Sequence, residues 1–314
     1  MTIALLCHVE LNAGYPARYE AAGFTLHYAT TAASRAAIDP ALAGQIRAVL
    51  TIGSIGLNAQ EMDKLPNLEI ICAQGVGFEQ IDLQAAAQRG ITVTHGPGTN
   101  NSAVADHALA LMLAITRHIP QMDAAVRRGE WANSRLNVPG MSGKKAGILG
   151  LGNIGEQIAL RCAGGFKMDV GYHNRKPMPD SPWRYFDTIV GLAQWADYLI
   201  VATPGGKGTA KLVDASVLQA LGEQGFLINI ARGSVVDSAE LIHSLQHKQI
   251  AGAALDVVEG EPAVPAEMLP LTNLVITPHI AGRSPEAVEN MMSLVIQNLT
   301  AHFSGQPVLT AVPV

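Results

Sequence analysis

The sequence predicts an α/β protein built from two doubly wound parallel sheets, and three observations lead there. Short β-rich apolar runs alternate with helical stretches along the chain, as a parallel sheet covered by helices on both faces requires. The 314 residues suit two moderate cores better than one large one. The segment "KKAGILGLGNIG" at 144–155 reads as a strand, a glycine turn and a helix in direct succession, and it opens a second α/β series.

In the first series, strands are expected near Ile3–Cys7, Thr25–Ala29, Val49–Ile52, Leu68–Ala73 and Ile91–Thr94, with helices such as Gln80–Arg89 in the gaps. The stretch "NSAVADHALALMLAITRHI" from Asn101 carries Ala, Leu and Met around most of its circumference. It reads as a helix buried between domains or against another subunit, which Pro120 ends or kinks. The second series continues through strands near Asp169–His173, Tyr198–Ala202, Phe226–Ile230, Ala251–Asp256 and Leu274–Thr277. A last helix, from about Pro285 to Phe303, follows this series without having to belong to it. Between the two series, "HGPGTNNS" at 95–102 has the Gly, Pro and Asn content of a hinge.

Composition narrows the partners. A net charge of -5 gives no general attraction to nucleic acid or to an anionic membrane, which leaves a small ligand. No run of 18 apolar residues suggests a membrane span, and the opening "MTIALLCHVE" lacks the basic and apolar regions of a signal peptide, so a cytoplasmic protein is expected. Cys7, Cys72 and Cys162 lack CxxC spacing and lie in apolar stretches, as buried reduced thiols would. No HExxH or comparable spacing calls for a metal. His95, His107 and His118 read as linker or interhelical hydrogen-bonders, and Trp131 and Trp183 as residues of domain or subunit contacts.

Gly150-Leu-Gly152-Asn-Ile-Gly155 fits G-x-G-x-x-G, and its place between strand and helix gives each glycine a task. Gly150 permits the tight turn, Gly152 lets backbone approach a pyrophosphate, and Gly155 brings helix and strand close. The helix N-terminus then offers N–H groups to the anion. Some 20 residues further on, where an NAD site keeps an acid for the ribose, the strand "MDVGYH" leads instead into Asn174, Arg175 and Lys176. With no carboxylate to repel it, the 2′-phosphate of NADP would pair with Arg175. A solvated basic turn is the plainer alternative for the same three residues.

Reduction of a 2-keto acid needs a cation for the carboxylate, an acid for the carbonyl oxygen, and a group that keeps that acid protonated. "NIARGSVVD" places Arg232 after one strand, "ALDVVEGEP" places Glu259 and Glu261 after the next, and "VITPHIAG" places His279 after the last. A parallel sheet presents ligand sites at such strand ends. A carboxylate beside His279 would fix its tautomer.

Together, "CAQGVGFEQID", "PGTNNSAVADHALALML", "GILGLGNIG", "PGGKGT", "NIARGSVVD", "ALDVVEGEP" and "TPHIAG" resemble the D-isomer-specific 2-hydroxyacid dehydrogenases over about residues 70 to 290. "YHNRKP" and "ATPGGKGT" are most similar to the NADP-preferring glyoxylate/hydroxypyruvate reductase branch. The resemblance implies a Rossmann nucleotide-binding domain at 98–285 and a discontinuous flavodoxin-like substrate domain made of 1–97 and 286–314. It also implies an active-site cleft between them and a homodimer. It makes Arg232 the ligand of the substrate carboxylate, Glu261 the residue that orients His279, and His279 the proton donor. Val76 and Gly77 would give backbone N–H groups to the carboxylate, and Asp256 would hold the nicotinamide carboxamide. Asn153, Ile154, Thr203, Pro204 and Ala231 complete the expected cofactor site. Val258, where the family commonly has Phe, and Asp106, where it has Glu, are departures expected to concern packing. Arg283 would either reach the substrate or lie as a surface cation.

The expected activity is therefore NADPH-dependent reduction of glyoxylate or hydroxypyruvate. An NAD-dependent dehydrogenase of larger 2-keto acids is the alternative of the same class. A nucleotide-sensing, corepressor-like interaction protein is the alternative of another class.

Overall fold

The structure of the protein is a computed structural model that describes residues 2–313. The chain forms two compact units, Met1–Asn100 with Ser284–Val314, and Asn101–Arg283.

In the first unit, five parallel strands, β1 (Ile3–Cys7), β2 (Phe24–Tyr28), β3 (Ile46–Thr51), β4 (Ile70–Ala73) and β5 (Thr92–Thr94), lie in the order β2-β1-β3-β4-β5. This is the flavodoxin-like order, with its switch point between β1 and β3. The central strands are apolar on both faces, Val49, Leu50, Ile70 and Ile71 all being buried, which is why they read as continuous apolar runs and not as alternating ones.

The helix Pro285–Phe303 completes this unit. Its start is set locally: the Ser284 side chain accepts from the Ala287 N–H, and Pro285 sits where a missing N–H is harmless. Met292, Val295 and Leu299 then join Leu5, Leu50 and Cys72 in one core. The tail beyond returns to the sheet edge, where the Val312 N–H donates to the Val93 carbonyl.

In the second unit, seven parallel strands, β6 (Lys145–Leu149), β7 (Asp169–His173), β8 (Arg184–Tyr185), β9 (Tyr198–Val201), β10 (Phe226–Asn229), β11 (Gly252–Leu255) and β12 (Leu274–Ile276), lie in the order β12-β11-β10-β9-β6-β7-β8. Counted from β6, this is the Rossmann order with one strand added at the far edge. The two-residue β8 is too short to show a pattern in the sequence.

The helix Asn101–Thr116 finds its cover here. Val104, Ala108, Leu111, Met112 and Ile115 pack with Ile148, Ile200, Ile228 and Ala254 of the sheet. The expected burial is real, but it is met by the sheet of the helix's own unit. Pro120 does not end this helix, which stops at Thr116; it stands in the first turn of the next one, Ile119–Arg127.

Among the described residues no helix is long and apolar enough to cross a membrane. All three cysteines are buried and free, and burial pushes each thiol up to about 12. Trp183 packs on the second unit's core and donates to Glu156, whereas Trp131 is exposed.

Candidate active site

Because all seven strands of the second unit are parallel, their C-terminal ends share one edge of the sheet. The residues that the sequence singles out in this unit gather there.

The glycine loop joins β6 to the helix Asn153–Phe166, and its three glycines are required for three different reasons. Gly150 has φ +100, and a Cβ there would lie 2.8 Å from the Thr203 nitrogen. A Cβ on Gly152 would meet nothing within 4 Å, so the loop faces open space at this point. A Cβ on Gly155 would lie 2.3 Å from the Gly150 carbonyl oxygen, so only glycine lets helix and loop close up. No side chain caps the helix start at Gly152, which leaves the end of the helix dipole to an anion. The hydroxyl of Thr203, just past β9, is buried without a partner among the described residues. Pro204 uses its carbonyl to accept from the Thr209 hydroxyl.

Asn174, past β7, has a task that the sequence did not disclose. Its Oδ1 accepts from the Leu151 N–H at 2.7 Å and its Nδ2 donates to the Leu151 carbonyl at 3.2 Å. The side chain thereby ties the strand end to the glycine loop. Arg175 and Lys176 follow it, both exposed.

The ends of β10, β11 and β12 are neighbours in the sheet. At the end of β10, the Asn229 side chain shapes the turn by accepting from the Ala231 N–H and donating to the Arg232 carbonyl. The Arg232 guanidinium donates to the Ala231 carbonyl at 2.7 Å. Gly233 lies so close to the next strand's loop that a Cβ would sit 2.1 Å from the Val258 carbonyl carbon. Val258 itself is buried in the core, whereas Asp106 forms a surface ion pair with Arg161 at 2.7 Å, so of the two departures from the family pattern only Val258 falls on a packing contact.

Of the two acids after β11, Glu261 meets His279: its Oε1 lies 2.6 Å from Nδ1. The two are 18 residues apart, and the side chains are partly exposed. His279 has φ +53, a left-handed backbone that costs a residue with a side chain about 1–2 kcal/mol. Its N–H is held by the carbonyls of Asp256 at 2.8 Å and Thr277 at 3.0 Å.

Asp256 is held by several hydrogen bonds. It is only 1% exposed, and its carboxylate accepts from the Thr277 hydroxyl, the Ile280 N–H and the Ala281 N–H. Burial raises its pKa, but hydrogen bonds from His107, Thr277 and those two N–H groups outweigh this and hold it below the usual carboxylate range. A carboxylate so held organises the turn that carries His279. His107 differs from the sequence reading: its Nε2 lies 2.9 Å from the Thr277 hydroxyl, so it bonds a strand end and not another helix. Arg283 is exposed, its N–H closing the turn on the Ile280 carbonyl.

In the first unit, Val76 and Gly77 lie in the loop after β4. Gly53 presses on that loop, since a Cβ there would be 2.6 Å from the Gly77 carbonyl carbon. His95 Nδ1 lies 3.0 Å from the Val76 carbonyl.

A doubly wound domain with a glycine loop and a carboxylate-held histidine along one sheet edge has the parts that a dinucleotide-dependent oxidoreductase needs. The family model for the D-isomer-specific 2-hydroxyacid dehydrogenase NAD-binding domain matches residues 109–281. The glyoxylate/hydroxypyruvate reductase A of Arabidopsis thaliana is 44% identical over 268 residues, 85% of each chain. The 2-ketogluconate reductase of Gluconobacter oxydans is 42% identical over 290 residues, 92% of each. Among solved structures, an NADPH-dependent glyoxylate/hydroxypyruvate reductase of Sinorhizobium meliloti, in complex with NADP and malonate, superposes with a TM-score of 0.92 at 36% identity, covering 99% of this chain and 97% of its own. The chain belongs to the D-isomer-specific 2-hydroxyacid dehydrogenase family, on its glyoxylate/hydroxypyruvate reductase branch. It is thus an oxidoreductase whose relatives interconvert 2-keto and 2-hydroxy acids.

Proposed function

We propose that the protein reduces glyoxylate or hydroxypyruvate to the D-2-hydroxy acid with NADPH, and that it does so as a homodimer. One observation carries the reading above the others: His279 Nδ1 is held 2.6 Å from Glu261, at the sheet edge that bears the glycine loop. A carboxylate on Nδ1 keeps a proton there, so Nε2 is the nitrogen that exchanges a proton with substrate. In reduction the Nε2–H donates to the keto oxygen as negative charge develops on it, and Glu261 stabilises the ring from the other side. Arg232 pairs with the substrate carboxylate and polarises the keto group. Arg283 is assigned to a further polar group on the substrate.

The residues fit a dinucleotide. The open space at Gly152, the uncapped helix start with Asn153, Ile154 and Gly155, and the buried, unpartnered Thr203 hydroxyl all suit a diphosphate bound by the loop. Arg175 and Lys176 suit a 2′-phosphate, with Asn174 holding the loop beside them. When bound, the reduced nicotinamide supplies the hydride to the keto carbon. Self-association is supported by the exposed apolar side chains of Ile119, Val126, Trp131 and Leu136, which fall within one short stretch.

The 42% identity to a 2-ketogluconate reductase favours a second reading, in which the substrate is a longer 2-keto acid. Both are tested by following nicotinamide absorbance with glyoxylate, hydroxypyruvate and 2-ketogluconate, each with NADPH and NADH, beside the His279→Ala variant. Fastest turnover of a short acid with NADPH, lost in His279→Ala, is the expected result. Preference for 2-ketogluconate selects the second reading, preference for NADH removes the phosphate assignment, and turnover retained in the variant removes His279 from the chemistry.

A further inference from the structure

We propose that His107 is a positioning residue for the acid/base histidine, acting through Thr277 and Asp256. The proposal rests on the reading of His279 given above and adds a residue from the helix Asn101–Thr116 to it.

The hydrogens available to these groups fix the direction of each bond. Asp256 accepts two backbone N–H groups and is a carboxylate, so the 2.6 Å contact with Thr277 must use the hydroxyl hydrogen of Thr277. That hydroxyl then has only lone pairs to offer His107, whose Nε2 lies 2.9 Å away. Nε2 must therefore carry the proton, which fixes one tautomer of His107 and a single direction for the chain: Nε2–H to Oγ1, and O–H to Oδ1. The same Nε2 lies 3.4 Å from Asp256 Oδ1, so its N–H points at both acceptors.

The chain ends on the groups that hold His279. Asp256 takes the N–H of Ile280 and of Ala281, and its own carbonyl accepts from the His279 N–H, as does the carbonyl of Thr277. His279 is thus gripped on both sides in a left-handed conformation that it would leave if released. His107 supplies a side-chain N–H to this arrangement, from a helix that packs on the sheet. Without it, the Thr277 hydroxyl is held from one side only and the turn that aims His279 loosens, while the contact of Glu261 with His279 is not itself cut.

The test compares His107→Ala, Thr277→Val and the double variant with His279→Ala in the holoenzyme. A misaimed proton donor slows the chemical step, so kcat should fall about tenfold or more in each single variant with NADPH affinity unchanged. The double variant should be no slower than the slower single one, because both cut the same chain. Full kcat in His107→Ala beside a dead His279→Ala overturns the proposal, as do losses that multiply in the double variant. Turnover retained in His279→Ala removes the acid/base reading and the proposal with it. The unmutated protein supplies a check that needs no variant to fold: ring nitrogen shifts of His107 should show a proton on Nε2, and a bare Nε2 overturns the chain.

Discussion

At the scale of single residues, the protein places charge and backbone strain where they do different jobs. Arg175 is exposed and follows an asparagine whose side chain is already committed to Leu151, so its guanidinium is available to a ligand. Arg175→Ala should raise the KM for NADPH by about tenfold or more and leave that for NADH nearly unchanged, since a bidentate phosphate contact is worth about 1.5–3 kcal/mol. Equal effects on both cofactors would return the basic turn to solvent. His8, at the end of β1, is a contrasting buried case. Burial, with Arg35 adding to it, lowers its imidazole from 6.5 to about 4, and its Nδ1 faces the Gly56 carbonyl. The unfolded chain therefore binds a proton that the folded one refuses. Stability should be full above pH 6.5 and decline as pH falls from there through about 4, by about 3 kcal/mol at most from this residue. Urea unfolding of the wild type and His8→Asn across that window checks it. Parallel pH dependence in the two proteins would clear His8 of the effect.

At the scale of elements, close approach decides more than intrinsic preference. Alanine is favoured over glycine in a helix by about 1 kcal/mol, so Gly155→Ala would stabilise an ordinary helix. Here the added methyl group would meet the Gly150 carbonyl oxygen at 2.3 Å, and the helix or the loop must move. Overpacking of this kind costs about 1–3 kcal/mol, which exceeds the propensity gain. The variant should melt lower and bind NADPH more weakly, as calorimetry and titration would show. A higher melting temperature would mean that the loop yields freely. The glycine pattern was legible because turn chemistry is local. The role of Asn174 was not, because its partner Leu151 is 23 residues away and becomes a neighbour only when β6 and β7 pair. Pro120 misled for a related reason: proline marks a helix boundary in sequence without saying which side of it the helix lies on.

For the whole molecule, the order of the chain and the order of its units differ. The helix Pro285–Phe303 comes last yet covers the first sheet through Met292, Val295 and Leu299. A fragment spanning Asn101–Arg283 contains its complete sheet and core and should unfold cooperatively and bind NADPH. A fragment ending at Asn100 exposes one sheet face and should not fold. Calorimetry of both fragments tests this, and a cooperative transition in the shorter one would show that the terminal helix is dispensable. By itself the sequence determined the fold class, most strand positions, the glycine loop and the residue types at the ends of β10, β11 and β12. Each follows from periodicity or turn chemistry within a few residues of chain. Only the tertiary structure decided that the Asn174 side chain binds Leu151, that Asp256 is enclosed and that His107 reaches Thr277 across 170 residues. Such pairings depend on strand order and on which apolar faces bury one another, and no local stretch of sequence carries that information.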